Sequence, residues 1–281
     1  MRLSRLFPSS FKRKIDSHIR AVAPRSERSY FPSHPGEDSY CVKATLRQDA
    51  FPIPPKALWL GYGPDAVSYL SGGRENVLAM VTILKEGGLS VESATRILEF
   101  GCAAGRMLRH LPEFTKAQLW GVDISAEQIQ WCVENLTPAM HFATTTTVPH
   151  LPFEDRFFDL VYCGSVFTHI EDLQQSWLLE LARILRPSGM LYVTIHDEHT
   201  VGLFDTESRD QWLAMLLRDH PIYSEHKDDF NMMVIDRGPG AQIFYNSAYF
   251  KSILPPCLHV ALYTREAYGY QSALLLEKTS L

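Results

Sequence analysis

The chain has 281 residues, of which 46% are hydrophobic and 21% charged, and its formal net charge is −5. These proportions are typical of a globular protein and exclude an intrinsically disordered chain, while the mildly acidic balance argues against a general nucleic-acid binder. A chain of this length predicts one large core with additional segments around it.

The N-terminal 28 residues differ from the rest of the chain in charge. They carry eight basic and two acidic side chains, so a charge of +6 here leaves −11 for the remainder. Within residues 1–22 apolar side chains recur every three or four positions. This pattern predicts a basic amphipathic helix, which would act as a peripheral membrane contact or an organelle transit peptide. A frayed basic tail is the alternative.

The remaining global features favour a cytoplasmic protein. The five cysteines are scattered, without a C-x-x-C pair or a histidine at zinc-finger spacing, so we expect no metal site and a reducing compartment. The apolar stretches fall short of the about 20 residues that a membrane-spanning helix needs.

Hydrophobic periodicity predicts helices that alternate with short buried strands, which is typical of a parallel sheet covered on both faces. An early helix is expected from Gly73 to the Gly87-Gly88 stop, and a late one at 206–219 with Thr206 as its cap. We predict strands near 96–100, 118–123, 138–144, 158–163, 189–195, 258–264 and 271–277. We predict further helices near 105–112, 126–136 and 173–186, and a short one after Asn246.

The first predicted strand runs through Glu99 into a turn flanked by Gly101 and Gly105. Glycines at these positions let the backbone turn tightly and approach a ligand. The G-x-x-x-G spacing differs from the G-x-G-x-x-G loop that presents backbone N–H groups to a dinucleotide phosphate. The glutamate in the turn suits a cationic ligand better than an anionic one. A strand-turn-helix junction without a ligand is the alternative.

The second predicted strand ends at Asp123, 24 residues after Glu99. A carboxylate at this strand tip is placed to accept hydrogen bonds from both hydroxyls of a ribose. Taken alone, an aspartate at a strand end is more often a turn or cap residue.

A third segment runs from Leu151-Pro152-Phe153 through Phe158-Asp159 to Cys163, and a fourth from Leu185 to Leu191. Together with the glycine turn and Asp123, these residues resemble the class I methyltransferases that depend on S-adenosylmethionine (SAM). The match runs over about residues 94–197. The resemblance implies a Rossmann-like, doubly wound, mostly parallel α/β sheet of seven strands with helices on both faces and an antiparallel last strand.

The resemblance also implies a SAM site. In it Glu99, Gly101 and Gly105 line the methionine end, Asp123 holds the ribose, and the segment that begins at Cys163 passes beneath the sulfonium. The cofactor-binding residues that we predict are Glu99, Gly101, Cys102, Gly105, Asp123, Ile124, Thr147, Cys163, Gly164 and Ser165. Many family members bind the adenine amino group with an aspartate where this chain has Thr147.

Methyl transfer to a hydroxyl requires the removal of a proton, which few side chains can accept near neutral pH. His196 is our first candidate for this base, and His169 is the second, because both follow predicted strands at the carboxyl edge of the sheet. A packed histidine that supports its loop is the alternative for His169.

These observations predict a SAM-dependent methyltransferase domain at 91–281, preceded by a tail at 1–28 and an extension with a helix at 29–90. Residues 200–256 would form an insertion that covers the acceptor. The expected acceptor is an O or N atom of a small molecule or sugar, since the flanking sequences resemble a bacterial subgroup that modifies glycans and small molecules. The alternatives are a non-catalytic SAM-binding protein and a nucleotide-dependent oxidoreductase.

Overall fold

The computed structural model describes residues 51–206 and 211–279. The predicted amphipathic helix at 1–22, the rest of the tail and the first part of the extension therefore lie outside the described residues, as do 207–210.

Seven of the described strands form one sheet with the order β3-β2-β1-β4-β5-β9-β8. Strands β1 to β5 run parallel to one another, and β9 lies antiparallel to both β5 and β8. The strands are β1 (Arg96–Phe100), β2 (Gln118–Asp123), β3 (His141–Thr144), β4 (Phe158–Cys163), β5 (Leu185–Ile195), β8 (Leu258–Tyr268) and β9 (Gln271–Lys278). The predicted parallel sheet with an antiparallel last strand is confirmed.

Helices cover both faces of the sheet, which explains why its central strands are almost continuously apolar. Alternate residues of a strand point to opposite faces: Ile97 packs into one core and Leu98 into the other. Helices α1 (Ala66–Glu86) and α2 (Ala126–Leu136) contribute to the first core, and α3 (Gln174–Ile184) contributes to the second.

Helix α1 is longer than the sequence predicts. It begins after Asp65, whose carboxylate accepts a hydrogen bond from the Ser68 backbone N–H at 2.8 Å, and it ends before the predicted Gly87-Gly88 stop. Its buried residues Val77 and Met80 belong to the same core as β1. The helix is thus packed as an integral part of the domain.

The described residues between 198 and 252 form a small layer against the carboxyl ends of β4 and β5. This layer contains α4 (Glu198–Thr206), α5 (Trp212–Asp219), α6 (Pro221–His226), a hairpin of β6 (Met232–Ile235) and β7 (Gln242–Tyr245), and α7 (Ser247–Ser252). The hairpin is joined to the sheet by a hydrogen bond of 2.8 Å from the Tyr245 N–H to the His196 carbonyl. Residues of this layer share an apolar cluster of their own, which includes Val201, Phe204 and Phe244.

Several predicted boundaries are wrong in detail. The segment near 105–112 is a turn followed by a 3-10 helix, Leu108–Glu113, which contains Pro112. Thr206 is the last residue of α4 and does not cap the following helix, which begins at Trp212. Strand β3 begins at His141 rather than 138, and β5 begins at Leu185 rather than 189.

In the part of the chain that is described, no helix is both long and apolar enough to cross a membrane.

Candidate functional site

The turn after β1 is built from residues with left-handed backbone angles. The φ angles are +79° at Gly101, +46° at Ala103 and +71° at Gly105. A Cβ atom on Gly101 would lie 2.3 Å from a methyl group of Val166, so glycine is needed there for space as well as for conformation. The turn is held against β2 by hydrogen bonds of 2.8 and 3.0 Å from the backbone N–H groups of Gly101 and Cys102 to the Val122 carbonyl.

Asp123 lies beside this turn at the end of β2. One carboxylate oxygen accepts a hydrogen bond from the Ala103 N–H, and the other accepts one from the Ser125 N–H, both at 2.8 Å. Burial raises the pKa of Asp123, and the Ser125 and Ala103 N–H groups oppose this effect. An ionised carboxylate has about four acceptor positions, so two positions are left for a ligand.

Two further predicted cofactor residues, Ile124 and Thr147, are exposed. The Ile124 side chain directly follows Asp123 and is 61% exposed. Thr147 is also exposed, in the loop after β3.

Glu99 is buried at the end of β1, where one of its carboxylate oxygens accepts a hydrogen bond of 3.1 Å from the Leu108 N–H. Burial raises the pKa of Glu99 to about 8, while the nearby Tyr162 hydroxyl and the Arg106 guanidinium act in the opposite direction. The glutamate is therefore mostly protonated at neutral pH until a cation approaches it.

The end of β4 contributes the segment Cys163, Gly164 and Ser165. Cys163 is fully buried, and burial raises the pKa of its thiol. A Cβ atom on Gly164 would lie 3.0 Å from the Tyr268 ring, so a close approach of that ring depends on the glycine. Ser165 has a φ angle of +58°, which is unusual for a residue with a side chain.

A closed set of hydrogen bonds stabilises Ser165 in this conformation. Its N–H donates to the Thr194 hydroxyl at 2.7 Å, and the Gln271 amide donates to its hydroxyl at 2.8 Å. Thr194 in turn donates to the Gln271 carbonyl oxygen at 2.7 Å. Our sequence reasoning missed both partners, although a threonine in the apolar strand β5 and a glutamine that begins β9 are polar residues in buried strands.

The two candidate histidines differ sharply in accessibility. His196 is 1% exposed between the rings of Phe244 and Tyr270, and burial lowers its pKa to about 3. His169 is exposed, and its Nδ1 lies 2.8 Å from the Ala241 carbonyl. Because a carbonyl only accepts, Nδ1 carries the proton in neutral His169, and Nε2 is left as an acceptor.

The predicted site residues thus gather along the carboxyl edge of β1, β2, β4 and β5. In open α/β sheets this edge is where ligands bind. In the part of the chain that is described, no group of histidine, cysteine and acidic side chains is arranged to hold a metal ion.

The fold and this edge define a Rossmann-like methyltransferase architecture. Residues 98–193 match the family model described as a methyltransferase domain. The chain contains a class I SAM-dependent methyltransferase domain, and its cofactor is SAM.

Curated relatives are similar to about a third of the chain. The sterol 24-C-methyltransferase erg6 of Schizosaccharomyces pombe is 31% identical over 110 residues, which are 37% of this chain and 29% of that protein. The methyltransferase GfsG of Streptomyces halstedii is 29% identical over 110 residues, 37% of this chain and 39% of that protein. The matched part therefore spans well under half of either relative.

Solved structures share the fold over most of the described chain. A SAM-dependent methyltransferase from Clostridium acetobutylicum ATCC 824 has a TM-score of 0.51 at 12% identity, covering 74% of this chain and 92% of that one. The 1,6-didemethyltoxoflavin-N1-methyltransferase of Burkholderia thailandensis, with bound S-adenosylhomocysteine, has a TM-score of 0.50 at 14% identity, covering 77% and 82%. At these identities the likeness establishes the fold.

Proposed function

We propose that the protein transfers a methyl group from SAM to an O or N atom of a small-molecule or sugar acceptor. The observation that carries this proposal is the left-handed turn at Gly101–Gly105 beside Asp123, whose carboxylate is fixed by two backbone N–H groups and keeps two acceptor positions.

The residues at this edge fit the parts of SAM. Asp123 would accept hydrogen bonds from the ribose hydroxyls, while Ile124 and Thr147 would flank the adenine. Glu99 would face the positively charged end, next to the backbone of Gly101, Cys102 and Gly105. Cys163, Gly164 and Ser165 would lie beneath the sulfonium.

SAM supplies an activated methyl group, whose carbon–sulfur bond breaks as the bond to the acceptor atom forms. The contribution of the protein is to align the acceptor with this methyl group and to take the proton that a hydroxyl acceptor loses. The β6–β7 hairpin lies directly over this edge, since Tyr245 bonds the His196 carbonyl and Ala241 contacts His169. A covered edge of this kind favours a small acceptor.

We place His169 before His196 as the base. Its Nε2 is free to accept a proton, and the Ala241 carbonyl fixes the required tautomer. Both ring nitrogens of His196 are enclosed, and its pKa near 3 makes it a weak base. The role of His196 is then to pack the hairpin against the sheet.

The first test is titration calorimetry with S-adenosylhomocysteine, followed by transfer of labelled methyl groups to a panel of hydroxyl- and amine-bearing metabolites and sugars. Binding followed by turnover supports the proposal. Binding without turnover on any acceptor supports a non-catalytic SAM-binding protein, and binding of NADH in place of the adenosyl ligand supports an oxidoreductase.

The second test compares His169→Gln with His196→Gln once an acceptor is known. We expect His169→Gln to lower kcat by about 100-fold or more without changing the affinity for S-adenosylhomocysteine. His196→Gln should lower the melting temperature and leave kcat within a few-fold. The reverse pattern would contradict our choice of base.

A further inference from the structure

Strand β6 has one open edge. Within the described residues, the second sheet consists of β6 and β7 alone, so β6 is paired on one side only. The Asn246 N–H donates to the Asn231 carbonyl at 2.8 Å, and successive residues of a strand direct their N–H and C=O groups to opposite sides. Met233, two positions after Asn231, therefore also faces β7. Met232 and Val234 present their N–H and C=O groups to the open edge.

A groove runs along this open edge. It has a volume of about 490 Å³ and is lined by both edge residues, with Ile222 of α6 and Phe230 among its apolar walls. Two exposed charged residues, Asp229 and Arg237, also line the groove, one before the strand and one after it. Among the described residues, neither of them takes part in an ion pair. Both charges can therefore pair with a binding partner.

Strand β6 lacks the features that commonly protect an edge strand from pairing, such as bulges, prolines and charged side chains. The longer edge strand β8 has register shifts between Val260 and Leu262 and between Thr264 and Tyr268, whereas β6 pairs with β7 without a shift. The sequence of β6, Met-Met-Val-Ile, contains neither a proline nor a charge. Its edge is thus suited to pairing with a further strand.

The charges indicate which strand fits this edge. A two-fold axis through Met233 places Met232 opposite Val234 of a second copy, and these two residues can exchange both backbone hydrogen bonds of an antiparallel pair. The same register places Asp229 opposite Arg237 of the second copy, because each lies four positions from Met233. The symmetry forms this ion pair twice. A peptide of another sequence could bond to the same backbone groups, but the charge complementarity favours a second copy.

We propose that the protein forms a homodimer in which the β6 strands of two copies pair in antiparallel orientation, with Asp229–Arg237 ion pairs at both ends of the paired segment. The two hairpins then form one four-stranded sheet, and the groove is buried between the copies. The hairpin also carries Ala241, whose carbonyl contacts His169. Dimerisation therefore also restrains the segment beside this histidine.

Sedimentation equilibrium at several protein concentrations measures the mass and the dissociation constant of the full chain. We expect a dimer of about 64 kDa, twice the 32.0 kDa of one chain. Asp229→Arg and Arg237→Asp each place like charges opposite each other in both pairs, so each should raise the dissociation constant by about 10-fold or more. Asp219→Arg, at an exposed position of α5 outside the groove, is the control and should keep the wild-type value.

Restoring opposite charges distinguishes this register from a general effect of charge. The double variant Asp229→Arg/Arg237→Asp, and an equimolar mixture of the two single variants, both bring opposite charges together again. Both should dimerise with a dissociation constant within about threefold of the wild type. Single variants that weaken the dimer without recovery in either combination would contradict the register.

Two further results would overturn the inference. One is a wild type that stays monomeric up to about 100 µM, which would leave the edge to an extended segment of another protein. The other is a dimer whose dissociation constant neither charge reversal changes. The substituted side chains are exposed, so the variants should fold, and the wild-type measurement decides the first result without any variant.

Discussion

Binding of S-adenosylhomocysteine should strengthen as the pH rises from 6 to 8, and Glu99→Gln should abolish this dependence. The pKa of Glu99 lies near 8 because the carboxyl is fully buried. Below this pH the Glu99 carboxyl is mostly protonated and neutral. The ammonium of the ligand is stabilised only by the ionised carboxylate, so binding should be weaker at low pH. The amino group of the ligand stays protonated across this window, so Glu99 is the group that changes.

The size of the effect follows from the pKa. With a value of about 8, roughly 99% of the carboxyl is protonated at pH 6, about 90% at pH 7 and about half at pH 8. Because the carboxyl must be ionised in the complex, the dissociation constant should be about 50-fold larger at pH 6 than at pH 8. This ratio corresponds to a difference of about 2.3 kcal/mol in the free energy of binding. Binding at pH 7 should also release about 0.9 proton.

Titration calorimetry in buffers of different ionisation enthalpy measures both quantities. Other groups face Glu99 from the elements packed against it: Tyr69, Cys102, Arg106, Asp123, Tyr162 and Cys163. They are unchanged in Glu99→Gln, so any pH dependence that remains in this variant belongs to them. Glu86→Gln, at an exposed position of α1, is the matched control. A wild-type affinity that stays constant within twofold from pH 6 to 8 would refute the reasoning.

Further predictions concern the same edge. Asp123→Ala should weaken binding of S-adenosylhomocysteine by about 1–3 kcal/mol, through the loss of charge-assisted hydrogen bonds, and calorimetry that shows unchanged affinity in a folded variant would remove the carboxylate from the ribose site. Thr194→Val should weaken the same binding by about 1 kcal/mol or more because Ser165 loses the acceptor that holds its left-handed turn, whereas Thr194→Ser keeps the hydroxyl and should bind like the wild type; equal affinities for the two variants would contradict this role. The free energy of unfolding of the ligand-free protein should fall between about pH 4.5 and 8, since the unfolded chain ionises Glu99 at lower pH than the native state does. Urea denaturation of Glu99→Gln should lack that part of the decline, which is at most about 3–5 kcal/mol.

The central strands could be predicted because strands that are buried on both faces consist almost entirely of apolar residues. The predicted bounds of β1, β2 and β4 agree with the structure, where they are apolar runs that end at Glu99-Phe100, Asp123 and Cys163. Helix α2 is likewise capped locally by Ser125, whose hydroxyl accepts a hydrogen bond of 3.4 Å from the Gln128 N–H. These features depend on a few neighbouring residues.

Other errors and omissions concern interactions between distant parts of the chain. Strand β5 begins four residues before the predicted point because Leu185 pairs with Phe158, across an irregularity that the residues after Leu185 do not reveal. The contact of Gln271 with Ser165 spans 106 positions, and that of Arg106 with Tyr268 spans 162. Such pairs become visible only when the sheet has been assembled.

The insertion of β9 between β5 and β8 has a consequence for the order of events during synthesis. Tyr268 and Gln271 lie at the turn between the last two strands, yet they contact the segment that begins with Gly164 and the guanidinium of Arg106. A growing chain can therefore contain Glu99, Gly101 and Asp123 long before Tyr268 and Gln271 have been synthesised. High-affinity capture of the cofactor should begin only after the β8–β9 hairpin has been synthesised and has docked on β5.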